Sequence, residues 1–474
     1  MKNIKNNIQI LVFAAIAFIV SSCSMDDIQP INQLVSENAI RDEASAQQVL
    51  NGVYDLGREF DVSGFPIYVA AYGNEGVING FLSGGSTPYN TNNIPVTNRY
   101  LTNLYNGLYK IVNQTNFLIE ELEAGKAVGI EEDRKNIIIS EAKFQRALTN
   151  FYLLRYFGQF YDLNSNFGIV LSTNFSTELE SKPRGTVKEA YDLIAADLEF
   201  AAQNGPKSIE HFYSGSTAAR ALLSKVELYR GNYDIAASLA LEVINNTDGY
   251  SLESNYQNIF INKSNSSEVL FAPFTGPGAE GGTQMSQVNR TTYSETLRSI
   301  ADNQVGTGSD GSLSGVGSGY DARFSYAYSG ATKGVKSNGK YPYNDFTNSE
   351  NNTLYHLRLG EIYLVHAEAE ARRTGGDLAT VALGSLNTIR NRAGATDKVF
   401  TDKATLLEDI RQEKLLELFF ENGEPYYDLV RYDQLGDISA AAIKPTLTTK
   451  DKFIFPYTTT AITGNNALIQ NPGY

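Results

Sequence analysis

The sequence predicts a mainly α-helical, globular protein. Three observations predict it: stretches whose apolar residues recur three and four apart, two glycine turns that each join a pair of such stretches, and long Gly- and Asn-rich segments between them. The 474 residues are 42% apolar and 19% charged, so there is enough apolar surface to offset the entropy of ordering the chain. At roughly 100 to 200 residues per domain, the length suits a few domains or one large fused body. Lys and Arg number 39 against 53 Asp and Glu, a formal charge of −14 with no basic block to offset it locally. That field repels phosphate backbones, and nucleic acid is not an expected partner.

The first residues carry a targeting pattern. Lys2 and Lys5 form a basic start, Ile8 to Val20 is an apolar run of 13 residues, and Val20-Ser21-Ser22-Cys23 closes it with small side chains. This reads as a secretory signal peptide. The run is shorter than the roughly 20 residues needed to span a bilayer as a helix. Cys23 is the only cysteine, which excludes an internal disulfide framework and any Cys-rich metal site. The small residues before it resemble a bacterial lipobox, and that resemblance implies lipidation at Cys23. Asp26 and Asp27 resemble the acidic tag of surface-exposed lipoproteins of the Bacteroidetes. The expected organisation is a signal peptide over 1–22, an anchor and tether over 23–38, a helical region over 39–265, and a C-terminal region over 266–474 with a loop-rich insertion at 276–352.

Helical spacing begins at Leu101, Leu104, Leu108 and Ile111 and continues to Leu122. A second helix is predicted over Asp133 to Phe157, with Phe144, Leu148, Phe151 and Tyr152 as its stripe and Gly158 as its stop. A third runs from about Val187 to Ala202 and ends at Asn204-Gly205-Pro206. In Thr217 to Asn245, Gly231-Asn232-Tyr233 separates two helical runs, and Ala236, Ala240 and Val243 let the second lie close on the first. This resembles a tetratricopeptide repeat hairpin. Tyr363 to Arg373, Gly375-Gly376, and then Ala382, Leu386 and Ile389 repeat the pattern. Two divergent copies so far apart predict tetratricopeptide-like hairpins packed into one body, not a regular solenoid.

Residues 72–100 and 276–339 interrupt this frame, and the second segment holds 13 of the 40 glycines. Aromatic residues interleaved with the Gly and Asn mark both as candidate functional loops. Catalytic signatures are missing. The three histidines, His211, His356 and His366, belong to no H-E-x-x-H helix, and the sequence has neither a G-x-S-x-G elbow nor a P-loop. His366 reads as a helix-surface or satisfied core histidine. No catalytic residue, metal or cofactor is expected.

At the C-terminal helices the residues become recognisable. Leu357-Arg358-Leu359-Gly360-Glu361 through His366-Ala367-Glu368-Ala369, then Leu386-Asn387-Thr388-Ile389-Arg390-Asn391-Arg392-Ala393-Gly394, resemble consecutive motifs of the SusD/RagB family. So do Glu413, Lys414, Glu417, Leu418, Phe420, Glu421, Asp428, Leu429 and Arg431 within Ile410 to Arg431, and the terminal Gln470-Asn471-Pro472-Gly473-Tyr474. In the other half, Glu141-Ala142-Lys143-Phe144-Gln145-Arg146-Ala147 and Tyr156-Phe157-Gly158 resemble the family's N-terminal helix. Pro425-Tyr426, Val170 and Pro456-Tyr457 depart from its pattern.

The resemblance implies a non-enzymatic lipoprotein of the cell outer membrane. It would face the exterior, bind an oligosaccharide or, in the RagB branch, a peptide, and deliver it to a TonB-dependent outer membrane transporter of the SusC type. It also implies a platform of tetratricopeptide-like hairpins with long loops on one side. Neutral sugars are held by aromatic faces, with Asn, Asp and Arg satisfying hydroxyl groups. On that chemistry the expected ligand-binding residues are Tyr72, Asn74, Phe81, Tyr89, Arg99, Tyr293, Arg298, Tyr320 and Arg323. With no Trp among 29 Tyr and 24 Phe, any stacking platform must be built from Tyr and Phe.

Overall fold

The computed structural model describes residues 39–78, 87–178, 180–207, 210–276, 291–294, 296–297, 300, 321, 323, 340–343 and 351–474. Ten helices of ten residues or more occur among them: α1 (Glu43–Leu56), α2 (Arg99–Glu123), α3 (Glu132–Phe157), α4 (Val187–Asn204), α5 (Ser216–Arg230), α6 (Tyr233–Ile244), α7 (Leu359–Arg372), α8 (Leu383–Arg392), α9 (Lys403–Leu418) and α10 (Glu424–Leu435). Four short strands pair as two antiparallel ribbons, β1 (Gly76–Ile78) with β3 (Thr291–Tyr293) and β2 (Val269–Phe271) with β4 (Leu357–Arg358). The mainly helical expectation holds, and the predicted helices lie within a few residues of their expected ends. The strands were not expected, and β1 falls inside the segment read as an irregular loop.

Local chemistry accounts for the helix ends. Asp42 accepts the Ser45 N–H at the start of α1, and Thr186 and Glu189 form a capping box on α4. Gly231 ends α5 at φ 78°, a left-handed conformation that costs glycine nothing and lets α6 fold straight back. The packing follows chain order: α2 rests on α3, α3 on α4, α4 on α5, α5 on α6, α6 on α7, and α7 on both α8 and α9. Because α1 packs on α2 and α3, it closes one end of this stack. His366, on α7, is buried with its Nδ1 2.8 Å from Ser385 Oγ, the satisfied core histidine that was expected.

The C-terminal helices are joined by buried charge. Glu417 receives Arg358 Nη1 at 3.0 Å and Arg392 Nη2 at 2.5 Å on Oε1, and Arg323 Nη1 at 2.8 Å on Oε2. Arg358 also donates to both oxygens of Glu421, each at 2.8 Å, and to Glu268 at 2.7 Å. Arg392 takes the other Glu268 oxygen, while Arg323 and Arg390 share Glu413. Lys340 on Glu421 and Asp321 on Arg323 complete a balanced set of five acids and five bases, all buried or nearly so. Two neighbouring clusters gather Arg372, Lys414 and Arg431 on Glu368, and Arg155 and Lys225 on Glu424. Despite burial, the arginines hold the Glu417 carboxyl far below the usual carboxylate range.

A second link ties the β1–β3 ribbon to this lattice. Glu75, just before β1, is fully buried, and its Oε2 accepts the N–H of Phe420 at 2.5 Å. Phe420 has φ 54°, a strained value for an aromatic residue. Desolvation pushes the Glu75 carboxyl up to about 8, against the lowering effects of the Phe420 N–H and Lys340.

Two stability predictions follow from these pairings. Glu417→Ala leaves three buried arginines short of a counter-charge, and should destabilise the protein by about 3–5 kcal/mol in denaturant unfolding. Glu75 keeps its proton in the folded state up to about pH 8, whereas its ordinary value is 4.5. Its stabilising contribution is therefore full below 4.5 and lost as pH rises through 8. Glu75→Gln retains the acceptor without the charge, and should exceed the parent stability at pH 9 by about 1–3 kcal/mol while matching it near pH 5.

Candidate functional site: an aromatic cleft beside the first helix

Most of the expected ligand-binding residues that the structure describes are committed to packing. Tyr72 is buried edge-on against Tyr426 and Phe455, and its hydroxyl donates to the Lys452 carbonyl at 2.7 Å. Tyr89 is equally buried between Phe65 and Tyr68. Tyr293 pairs with Gly76 across the β1–β3 ribbon and lies against Phe419, and Asn74 is 4% exposed beneath it. Arg323 belongs to the charge lattice. The structure places these five within the packing of the body. Arg99 is exposed at the start of α2, its guanidinium 4.9 Å over the Tyr100 ring. Phe81, Arg298, Tyr320 and Cys23 lie outside the described residues.

The structure assembles a different set. A cleft of about 350 Å³ opens between α1, α3, the 211–214 segment and the strand end at Phe271–Phe274. That volume falls within the range of small-ligand sites. Tyr54 and Tyr213 meet edge to face at 5.3 Å, Phe212 packs on Phe274 at 5.1 Å, and Phe271 backs onto Tyr54. Phe274 remains 40% exposed although Arg58 crosses its ring and donates to its carbonyl at 3.2 Å. Arg58 is itself paired with Asp55, one turn back in the sequence.

The polar groups in the cleft are few and mostly neutral. Gln145 is 6% exposed on α3, and its Nε2 has no partner among the described residues. His356 stacks on Phe271 and stands 2.8 Å from the Tyr152 hydroxyl. Burial, helped by the charges of Lys225 and Arg155, pushes the His356 imidazole down to about 3, so it is uncharged. A second lobe of about 340 Å³ shares Asn51 and Tyr213 with the first and adds Gln47, Arg134, Glu141 and Glu210. Among the described residues no group of three or more His, Cys, Asp or Glu is arranged to hold a metal, and no helix is long and apolar enough to cross a membrane. Flat rings, a neutral amide and a neutral imidazole suit the binding of an uncharged, hydroxyl-rich molecule. The sequence reading missed this cleft because its walls come from five distant segments, none of them unusual alone.

Similarity to known proteins bears on both halves of the chain. A family model described as the SusD family matches residues 289–474. Another, described as starch-binding and associating with the outer membrane, matches residues 26–228. A SusD-like protein of Bacteroides ovatus is 25% identical over 372 residues, covering 70% of this chain but only 65% of that relative. The crystal structure of a SusD superfamily protein from Bacteroides thetaiotaomicron superposes with a TM-score of 0.76 at 25% identity, over 91% of this chain and 100% of that one. A laminarin-binding SusD-like protein superposes with a TM-score of 0.68 at 21% identity, over 92% and 100% of the two chains. With both halves matched, and with the motif residues of α3, α7, α8 and α9 holding the helical stack together, the chain belongs to the SusD family.

Proposed function

We propose that this protein is a nutrient-capture lipoprotein that binds an oligosaccharide at the outer surface of the cell and passes it to a TonB-dependent outer membrane transporter. The observation that carries the reading is the cleft itself, where half-buried Tyr54, Phe212 and Tyr213 and exposed Phe274 surround neutral hydrogen-bonding groups. A SusD-like protein of the same fold is described as laminarin-binding, which supports a glycan as the ligand class. The protein binds its ligand without turning it over. Residues 1–22 serve as the signal peptide, Cys23 carries the lipid, and residues 23–38 form the tether that leaves the folded body free to meet the transporter.

Calorimetric titration against panels of neutral oligosaccharides and of peptides tests the ligand class. Binding to an oligosaccharide is expected, and Phe212→Ala or Phe274→Ala should each weaken it by about 1 kcal/mol or more, some fivefold in affinity. Binding to peptides alone, or hydrolysis of a bound glycan, overturns the reading. Cys23→Ala should abolish metabolic lipid labelling and release the protein from the membrane fraction. Continued membrane retention of that variant without label contradicts the anchor.

A further inference from the structure

The acceptors that line the cleft are largely engaged, whereas two of its donors are not. The Phe271 carbonyl takes the His356 N–H at 3.2 Å, the Pro273 carbonyl takes the Thr353 hydroxyl at 2.7 Å, and the Phe274 carbonyl takes Arg58. At the rim, Asn51 Oδ1 accepts from Gln47 Nε2 at 2.8 Å, and the Tyr54 hydroxyl donates to Glu141 and accepts the Ser214 N–H. Gln145 lines the same cleft, and its Nε2 is buried with no acceptor among the described residues. An amide N–H left unpaired in such a place weakens the fold, and a ligand that supplies an acceptor removes that penalty.

His356 adds a second donor. The Tyr152 hydroxyl is buried and has no other acceptor among the described residues, so its proton is directed to His356 Nδ1, 2.8 Å away. The tautomer assigned from this bond carries the proton of the uncharged imidazole on Nε2. Phe271, stacked on the His356 ring with centroids 5.4 Å apart, sets an apolar face beside the donors.

We propose that the cleft takes the acetamido group of an N-acetylated sugar, whose carbonyl oxygen accepts from Gln145, with His356 as the neighbouring donor and Phe271 against the methyl group. This names the sugar class for the oligosaccharide site and rests on that reading. A plain hydroxyl group is the poorer match, because it brings a proton of its own into a lining whose carbonyls are already taken. An amide carbonyl brings two lone pairs and no proton. A carboxylate also suits two donors, but it would lose its hydration beside a cation, Arg58, that is already paired with Asp55.

Calorimetric titration with matched sugars tests the inference: N-acetylglucosamine against glucose, N-acetylgalactosamine against galactose, and chitotriose against cellotriose, each pair exchanging acetamido for hydroxyl. In at least one pair the acetamido member should bind about tenfold more tightly, the weight of one buried hydrogen bond. Gln145→Leu should bring that sugar down to the affinity of its hydroxyl partner, and Gln145→Glu, whose carboxylate cannot donate, should do the same. Because the donor is unpaired in the free protein, Gln145→Leu should melt no lower than the parent. A clear fall in melting temperature assigns Gln145 to packing and overturns the inference. So does the absence of an acetamido preference in every pair, or a preference that survives both substitutions, and each of these leaves the glycan reading intact if any oligosaccharide binds. If neither these sugars nor any neutral oligosaccharide binds, both readings fall.

Discussion

A carboxylate shared by three arginines organises the C-terminal half. Glu417 accepts from Arg323, Arg358 and Arg392, which come from a buried segment, from the end of β4 and from α8. None of these charges can be buried alone, because desolvation of an unpaired ion costs several kcal/mol. The elements that carry them must therefore arrive together and in one register. Hydrophobic packing would tolerate sliding of α9 against α7 and α8 far better than this arrangement does. Gly360 shows the tightness of the fit, since a Cβ there would stand 2.7 Å from Glu268 Oε1.

The same residues explain how much of the fold was legible in the sequence. Arg358, Glu361, Glu368, Arg390, Arg392, Glu413, Glu417, Glu421 and Arg431 were recognisable as motif letters before their role was visible, and each proves to be buried. Helices α2, α4, α5 and α6 were legible for a simpler reason: apolar residues recur on one face and glycine closes the hairpin at Gly231. Periodicity alone does not find α9, where Arg411, Glu413, Lys414 and Glu417 are buried alongside Leu407, Ile410, Leu415 and Leu416. A helix buried all round with charged residues carries no one-sided stripe.

The candidate site was not legible, and the aromatic composition explains why. Without Trp, the protein uses Tyr as a core residue that also needs a hydrogen-bond partner. Tyr72 donates to the Lys452 carbonyl, Tyr191 to Phe160, Tyr341 to Phe420 and Tyr426 to Phe453, each pinning an irregular segment to the body. Among the described residues, Tyr72, Tyr89 and Tyr293 of the Gly- and Asn-rich segments are all buried. The ring of Tyr54 lines the cleft while its hydroxyl holds Ser214.

The two sides of the cleft are held by different contacts. Gln145 and His356 sit on α3 and just before β4, close to the ion lattice through Arg155 and Lys225, whose charges help keep His356 neutral. Phe212 and Tyr213 are held by Tyr54 on Ser214, by the Ala272 N–H on the His211 carbonyl at 3.0 Å and by His211 Nδ1 3.0 Å from the Ser266 carbonyl. The strong charges of the scaffold are paired with one another, and so is the charged pair that lines the cleft, Arg58 with Asp55. Ring faces and neutral dipoles fit shape and hydroxyl pattern rather than charge. The ion lattice and the lining of the cleft are built from different residues, so a change in one need not disturb the other.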